Sequence, residues 1–185
     1  MNKFNYMKKI LLTLLGLAVF TACNDDDSPV NSTIDHPISY IELTGNNNQL
    51  EYTLVSVKAD NSIDFDNDGN SSTDVYAQMQ KCELDDLFIF TYVKSKNVYV
   101  WSMTENTVVC DDNLPYYTKN SGAFNPDPNN KTIEFYDEDK DLVFKATNVK
   151  LIERNTPEKV SFELTFDFYD PYFKTTLHYK YLKEY

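Results

Sequence analysis

Between Val160 and Tyr181 large apolar and polar residues alternate with a period of two, a pattern that leaves little choice but a β-hairpin. Phe162, Leu164, Phe166 and Phe168 alternate with Glu163, Thr165 and Asp167. Successive side chains of a strand point to opposite faces, so this order buries one face and wets the other. Phe173, Leu177, Tyr179 and Tyr181 alternate in turn with Lys174, Thr176, His178 and Lys180. Asp170-Pro171 between the two runs is a turn signal, so the pair is predicted to be antiparallel.

The same reading places strands at Leu50 to Val57, Leu87 to Tyr92, Val98 to Met103, Thr107 to Cys110, Thr132 to Tyr136 and Leu142 to Ile152. Leu87 to Tyr92 is apolar on both faces and should be central or covered. Asp111 to Asn130, with Pro115, Pro126 and Pro128, reads as a long loop, and only Asp74 to Lys81 reads as helix. The 14 Tyr and 12 Phe favour strands, and only four Gly interrupt them. The expected fold is mainly β: an antiparallel up-and-down meander of about eight strands. Closing it into a barrel would remove its edges. A two-sheet β-sandwich is the alternative, and periodicity does not separate the two.

The first residues have the order of an export signal. Lys3, Lys8 and Lys9 precede an apolar run from Ile10 to Phe20, too short to span a bilayer as a helix. Phe20-Thr21-Ala22-Cys23 then places small residues before a cysteine, the pattern of a bacterial lipobox, with Phe20 where Leu is usual. Residues 1–22 are therefore expected to be removed and Cys23 to carry the lipid. Without them the chain has 14 basic and 29 acidic side chains, a formal charge of −15. That charge argues against nucleic-acid partners, and since no other stretch approaches membrane-spanning length the lipid is the expected anchor. Residues 23–48 are polar, with Asp25-Asp26-Asp27 and Asn31-Ser32-Thr33, and read as a flexible acidic tether. Residues 49–185 remain as one β domain, expected to be monomeric.

The most specific motif is Asp64-Phe65-Asp66-Asn67-Asp68-Gly69-Asn70-Ser71-Ser72-Thr73-Asp74. Asp64, Asp66 and Asp68 stand at positions 1, 3 and 5 of a calcium loop, and Gly69 stands where the sharp turn falls. Asn70 would offer its backbone carbonyl, Ser72 a water-mediated contact and Asp74 a carboxylate one place early. Val75 occupies the position where a bidentate Glu is usual. The competing reading is an acidic turn in which Thr73 or Asp74 caps a helix.

Strand Tyr52–Val57, the Asp-x-Asp-x-Asp-Gly run, Ser72-Thr73-Asp74, Cys82, Asp85-Asp86 and the following aromatic strand resemble the lipocalin-like domains of Bacteroidota lipoproteins over roughly residues 50–112. The acidic run after Cys23 is similar to the surface-export signal of those lipoproteins. The resemblance implies a small barrel, a place on the outer face of the outer membrane, and a binding or structural role without catalysis. Tyr52 stands where such domains usually have Trp, and the chain from about Leu114 onward carries no such likeness.

Cys82 and Cys110 are the pair left once Cys23 is lipidated, and in an oxidising envelope they are expected to form a disulfide. No Ser-His-acid set, zinc motif or phosphate-cradling loop is visible; His36 falls in the tether and His178 on a polar strand face. Asp137-Glu138-Asp139-Lys140-Asp141 lacks the Gly and reads as a charged hairpin turn. Tyr99, Trp101, Tyr116 and Tyr117 suit either core packing or stacking on sugar rings. The leading expectation is a non-catalytic surface lipoprotein with a calcium-stabilised β domain that takes a small hydrophobic ligand or another partner. The alternative is a glycan-binding accessory lipoprotein of a polysaccharide-uptake system.

Overall fold

The alternation at Phe162–Phe168 belongs to a strand that helps close a barrel. In this computed structural model, which describes residues 31–104 and 121–185, the strands in chain order are β1 (Ser32–His36), β2 (Gln49–Ile63), β3 (Ser72–Asp74), β4 (Leu87–Val93), β5 (Val98–Thr104), β6 (Ser121–Asp127), β7 (Thr132–Tyr136), β8 (Leu142–Asn155), β9 (Val160–Asp170) and β10 (Thr175–Glu184). Each of β4 to β10 pairs antiparallel with the next, and β10 returns to pair with β2, which pairs with β4. Eight strands thus close into an up-and-down barrel rather than a two-sheet sandwich. Two short strands lie outside the ring: β1 pairs with the far end of β8, and β3 pairs with the far end of β2.

Alternation decides what fills the barrel. Tyr52, Phe88, Phe90, Trp101, Phe124, Phe135, Leu164 and Leu177 are all at most 3% exposed. An eight-stranded barrel has an interior just wide enough for side chains, and these aromatic rings fill it. Phe135 stacks on Phe144 with centroids 4.2 Å apart, and Trp101 meets Phe135 edge-on at 5.4 Å. Such edge and offset contacts add to burial the attraction between ring edge and ring face. The expectation for Leu87 to Tyr92 is met: Phe88, Ile89 and Phe90 are all buried between β2 and β5.

Three readings need correction. Residues 32–48, assigned to the tether, are folded, and the compact unit begins at Asn31. After β1, Ser39 caps a short helix, α1 (Tyr40–Thr44), by accepting from the Glu42 N–H. Ile38 and Leu43 are then buried at 4% and 0% exposure. So few apolar residues in a polar stretch form no period of their own; docking onto the barrel is what orders them. The second correction concerns the long loop. Ser121–Asp127 is strand β6, with Phe124 buried. Pro126 lies past the last pairing with β5, where a missing N–H breaks no ladder bond on that edge. The third is the helix read at Asp74 to Lys81. Asp74 ends β3, a single 3-10 turn follows at Tyr76–Gln78, and the next helix is α2 (Lys81–Leu84). The strand expected at Thr107 to Cys110 lies outside the described residues.

The up-and-down order sorts the connections to two ends. Residues 94–97, 128–131 and 156–159 lie at one end together with α1, whose Tyr40 ring stacks on Tyr99 at 4.4 Å. Residues 64–71, 137–141 and 171–174 lie at the other, which is rich in acids. At 171–174 the turn is made by Asp170, whose side chain accepts from the N–H groups of Tyr172 and Phe173.

Candidate functional site

The acidic loop sits at the tip of a long strand. β2 runs for 15 residues, and β4 covers only Gln49–Thr53 of it. Beyond that point, among the described residues, its β4-side edge pairs only with β3, through Lys58 opposite Asp74 and Ile63 opposite Ser72. Past Ala59, where its pairing with β10 also ends, β2 is therefore an arm, and residues 64–71 are its tip. Phe65 anchors the base of this loop, with its N–H on Gln78 Oε1 at 2.8 Å and its ring 5.6 Å from Phe173.

Within the loop the carboxylates organise the backbone. Asp64 accepts from the N–H of Asp68 and of Gly69, both at 3.0 Å. Asp68 accepts from the Asn70 backbone N–H at 2.7 Å and from its side-chain amide at 3.0 Å. These Asn70 donors hold the Asp68 carboxyl below the usual carboxylate range. Gly69 turns the chain at φ 91°, a conformation L side chains rarely adopt. Asp64, Asp66 and Asp68 each offer an oxygen within 4.8 Å of the others. Like charges this close favour a cation between them.

Asn70 bonds to Asp68 of the cluster, whereas Ser72 and Asp74 bond away from it. Ser72 Oγ accepts from the Asp74 N–H, and Asp74 Oδ1 accepts from the Ala77 N–H of the 3-10 turn, whose N-cap position is Val75. Asp74 thus bonds into the following turn, while Asp64, Asp66 and Asp68 form the cluster. Asp137–Asp141 is a hairpin turn, closed by Asp137 N–H on the Asp141 carbonyl and Asp141 N–H on Asp137 Oδ1, both at 3.0 Å.

Cys82 is buried in α2 at 5% exposure; Cys110, Cys23, Tyr116 and Tyr117 lie outside the described residues. Trp101 is in the core, and Tyr99 is wedged between Tyr40 and Tyr92, so neither ring is presented for stacking on a ligand. Among the described residues the exposed tyrosines are instead Tyr185, at 62%, and Tyr169 and Tyr172, at 59% and 67%, the last two beside the acidic rim. A small internal void of about 10 Å³ lies among Leu54, Met79, Met103, Tyr179 and Tyr181, room for at most a water. A larger hollow of about 490 Å³ lies on the outer face of the barrel, along Thr53, Val55, Leu87 and Leu182.

Both histidines do more than the sequence suggested. His178 Nδ1 lies 2.7 Å from Asp167 Oδ1 on β9, and its Nε2 lies 2.9 Å from Asp60 Oδ1 on β2. The Asp60 and Asp167 contacts raise the imidazole pKa above its ordinary value, against the opposing pull of partial burial. His36 lies in β1, not in a tether, and bridges Glu42 of α1 at 3.1 Å and Glu153 of β8 at 2.7 Å. Alternation marked His178 as outward, but its partners depend on strand register and left no local signal.

No family model, curated protein or solved structure matches this chain.

Proposed function

We propose that this chain is an exported, lipid-anchored and non-catalytic surface protein whose β domain binds calcium at its rim. One observation carries the calcium reading: three carboxylates at alternate positions offer oxygens within 4.8 Å of one another. Asp64, Asp66 and Asp68 would hold the ion, with further oxygens from the backbone and water. The closed up-and-down barrel agrees with the lipocalin-like resemblance. Its filled interior directs partners to the rim and the outer face, because pockets for small molecules measure about 300–1,000 Å³. Lipidation at Cys23 and a Cys82–Cys110 disulfide complete the proposal.

The test is thermal unfolding of wild type and Asp64→Asn/Asp68→Asn, in millimolar calcium and in chelator. Without the bidentate Glu, affinity is expected to be about 10⁻⁴–10⁻³ M. At ten times the dissociation constant calcium should add about 1.4 kcal/mol by mass action to the wild type alone. A wild-type midpoint indifferent to both treatments removes calcium from the proposal. The anchor is tested separately: wild type should incorporate labelled fatty acid and Cys23→Ser should not.

The glycan-binding reading keeps one supporting observation, the exposure of Tyr169 and Tyr172 near Phe173 and Phe65. Oligosaccharide titration of wild type and Tyr172→Ala separates it from the first reading. Binding that Tyr172→Ala weakens supports it; no binding to any oligosaccharide tried leaves the first.

A further inference from the structure

We propose that the Asp60–His178–Asp167 bridge is a proton-operated clasp that fastens the β2 arm, and with it the acidic loop, to the barrel wall. The arm needs such a fastening. β10 follows β2 only as far as Ala59 opposite Leu177. Past that point the described links from the arm to β10 are Asp60, which accepts from His178 and from the Thr176 side chain, and Asn61, whose backbone N–H and side-chain amide donate to Thr175 Oγ1 at 3.3 Å and 3.4 Å. The acidic loop starts at Asp64, four residues beyond Asp60.

Imidazole chemistry makes the clasp sensitive to protons. A carboxylate accepts and has nothing to donate, so both contacts of His178 are made only when both ring nitrogens carry hydrogen. Neutral imidazole keeps one N–H. The contact to Asp167 is the shorter one, and Asp167 is itself held by the Asn148 side-chain amide at 2.7 Å. The remaining proton therefore stays on Nδ1. Nε2 then turns a lone pair to the Asp60 carboxylate, and the side of the clasp that opens is the one holding the arm.

The charged neighbours are few. Lys58 on β2 stands directly opposite His178, and Asp74 on β3 stands opposite Lys58. On β10 itself Lys180 is engaged by Glu163 at 2.7 Å. From β9 the group facing His178 is Asp167, and from β8 it is the neutral Asn148 that reaches the bridge. Lys58 disfavours the imidazolium, the two bridging carboxylates favour it, and the carboxylates are in direct contact. The folded-state pKa therefore lies above the ordinary 6.5. The clasp is closed below that ordinary value and opens as pH rises through the raised one.

The experiment follows the His178 ring protons by NMR across pH, together with amide-exchange protection at Asn61 and Phe65 corrected for intrinsic exchange. Expected is a wild-type midpoint above 6.5, lowered in both Asp60→Asn and Asp167→Asn. Opening of the arm should rise about two- to fivefold across that midpoint, the scale of an exposed ion pair. In His178→Gln, which keeps a single donor group, the same amides should show no pH step. A wild-type midpoint at or below 6.5, arm protection that ignores pH, or an equal step in His178→Gln would each overturn the clasp. The side chains of His178, Asp60 and Asp167 are 43%, 54% and 21% exposed, and none belongs to the hydrophobic core.

Discussion

The indole N–H of Trp101 donates to the backbone carbonyl of Tyr136 at 2.9 Å, across the one point of β6 that has no side chain. Trp101 on β5 stands opposite Gly122, and a Cβ built on Gly122 would lie 1.8 Å from that same Tyr136 oxygen. The bond and the glycine are one arrangement: the barrel wall bends sharply enough here for β5 to reach β7 over the backbone of β6. All three atoms that a new Cβ would meet, the Tyr136 oxygen and the Asp137 carbonyl carbon and Cα, are backbone and move only with the strand.

Gly122→Ala is therefore expected to destabilise by about 3 kcal/mol, the upper range of overpacking, and to break the Trp101 bond as the strand shifts. Urea unfolding gives the first number and tryptophan fluorescence reports the second. A variant within 0.5 kcal/mol of wild type, by the usual size of surface substitutions, would mean that the wall has slack at this corner.

Leu43→Ala separates a folded N-terminal segment from a tether. Leu43 is fully buried, so removing its side chain should cost about 2–4 kcal/mol of transfer and cavity energy. Equal urea midpoints for the variant and wild type would return residues 32–48 to the linker.

Acid should weaken the barrel through Glu163. Its side chain is 10% exposed, with Lys180 Nζ at 2.7 Å and Arg154 Nε at 3.4 Å. Burial pushes its pKa up, but the Lys180 and Arg154 contacts outweigh burial and hold it below the ordinary 4.5. Its folded pKa is thus the lower one. The stability it contributes is present above the unfolded value and lost as pH falls through the folded value. Lys180→Met should cost about 1–2 kcal/mol at pH 7, by stranding a buried carboxylate with one partner. The cost should shrink as pH falls through the folded value, below which both states are protonated. A penalty that stays constant from pH 7 through that value would assign it to packing of the lysine stem instead.

Peptides from unreduced protein should show Cys82 linked to Cys110 by mass spectrometry. Replacing both by Ala should lower stability by roughly 3–4 kcal/mol in the chain-entropy model without abolishing the fold. Free thiols at both positions in protein taken from the cell envelope would end the proposal.

Much of this molecule is local and so could be read along the chain. Period-two alternation senses only neighbours, and it located the hairpin of β9 and β10 and the strands β2, β4, β5, β7 and β8. The acidic loop is local in the same sense. Its hydrogen bonds among Asp64, Asp66, Asp68, Gly69 and Asn70 span at most five residues, so composition and spacing alone bring the three carboxylates together. What only the tertiary structure decided depends on pairing between distant segments. The return of β10 to β2 makes a barrel of the meander, and the register it sets places Asp60 on His178, 118 residues away. The same long-range geometry turns a Pro-rich stretch into β6, because Trp101 and Tyr136 approach over Gly122. It also folds residues 32–48, because Leu43 finds the barrel's open end. A side chain's face is written in its nearest neighbours. Its partner across the barrel is fixed only when the strands close, since one residue of slip would exchange every inward side chain for an outward one.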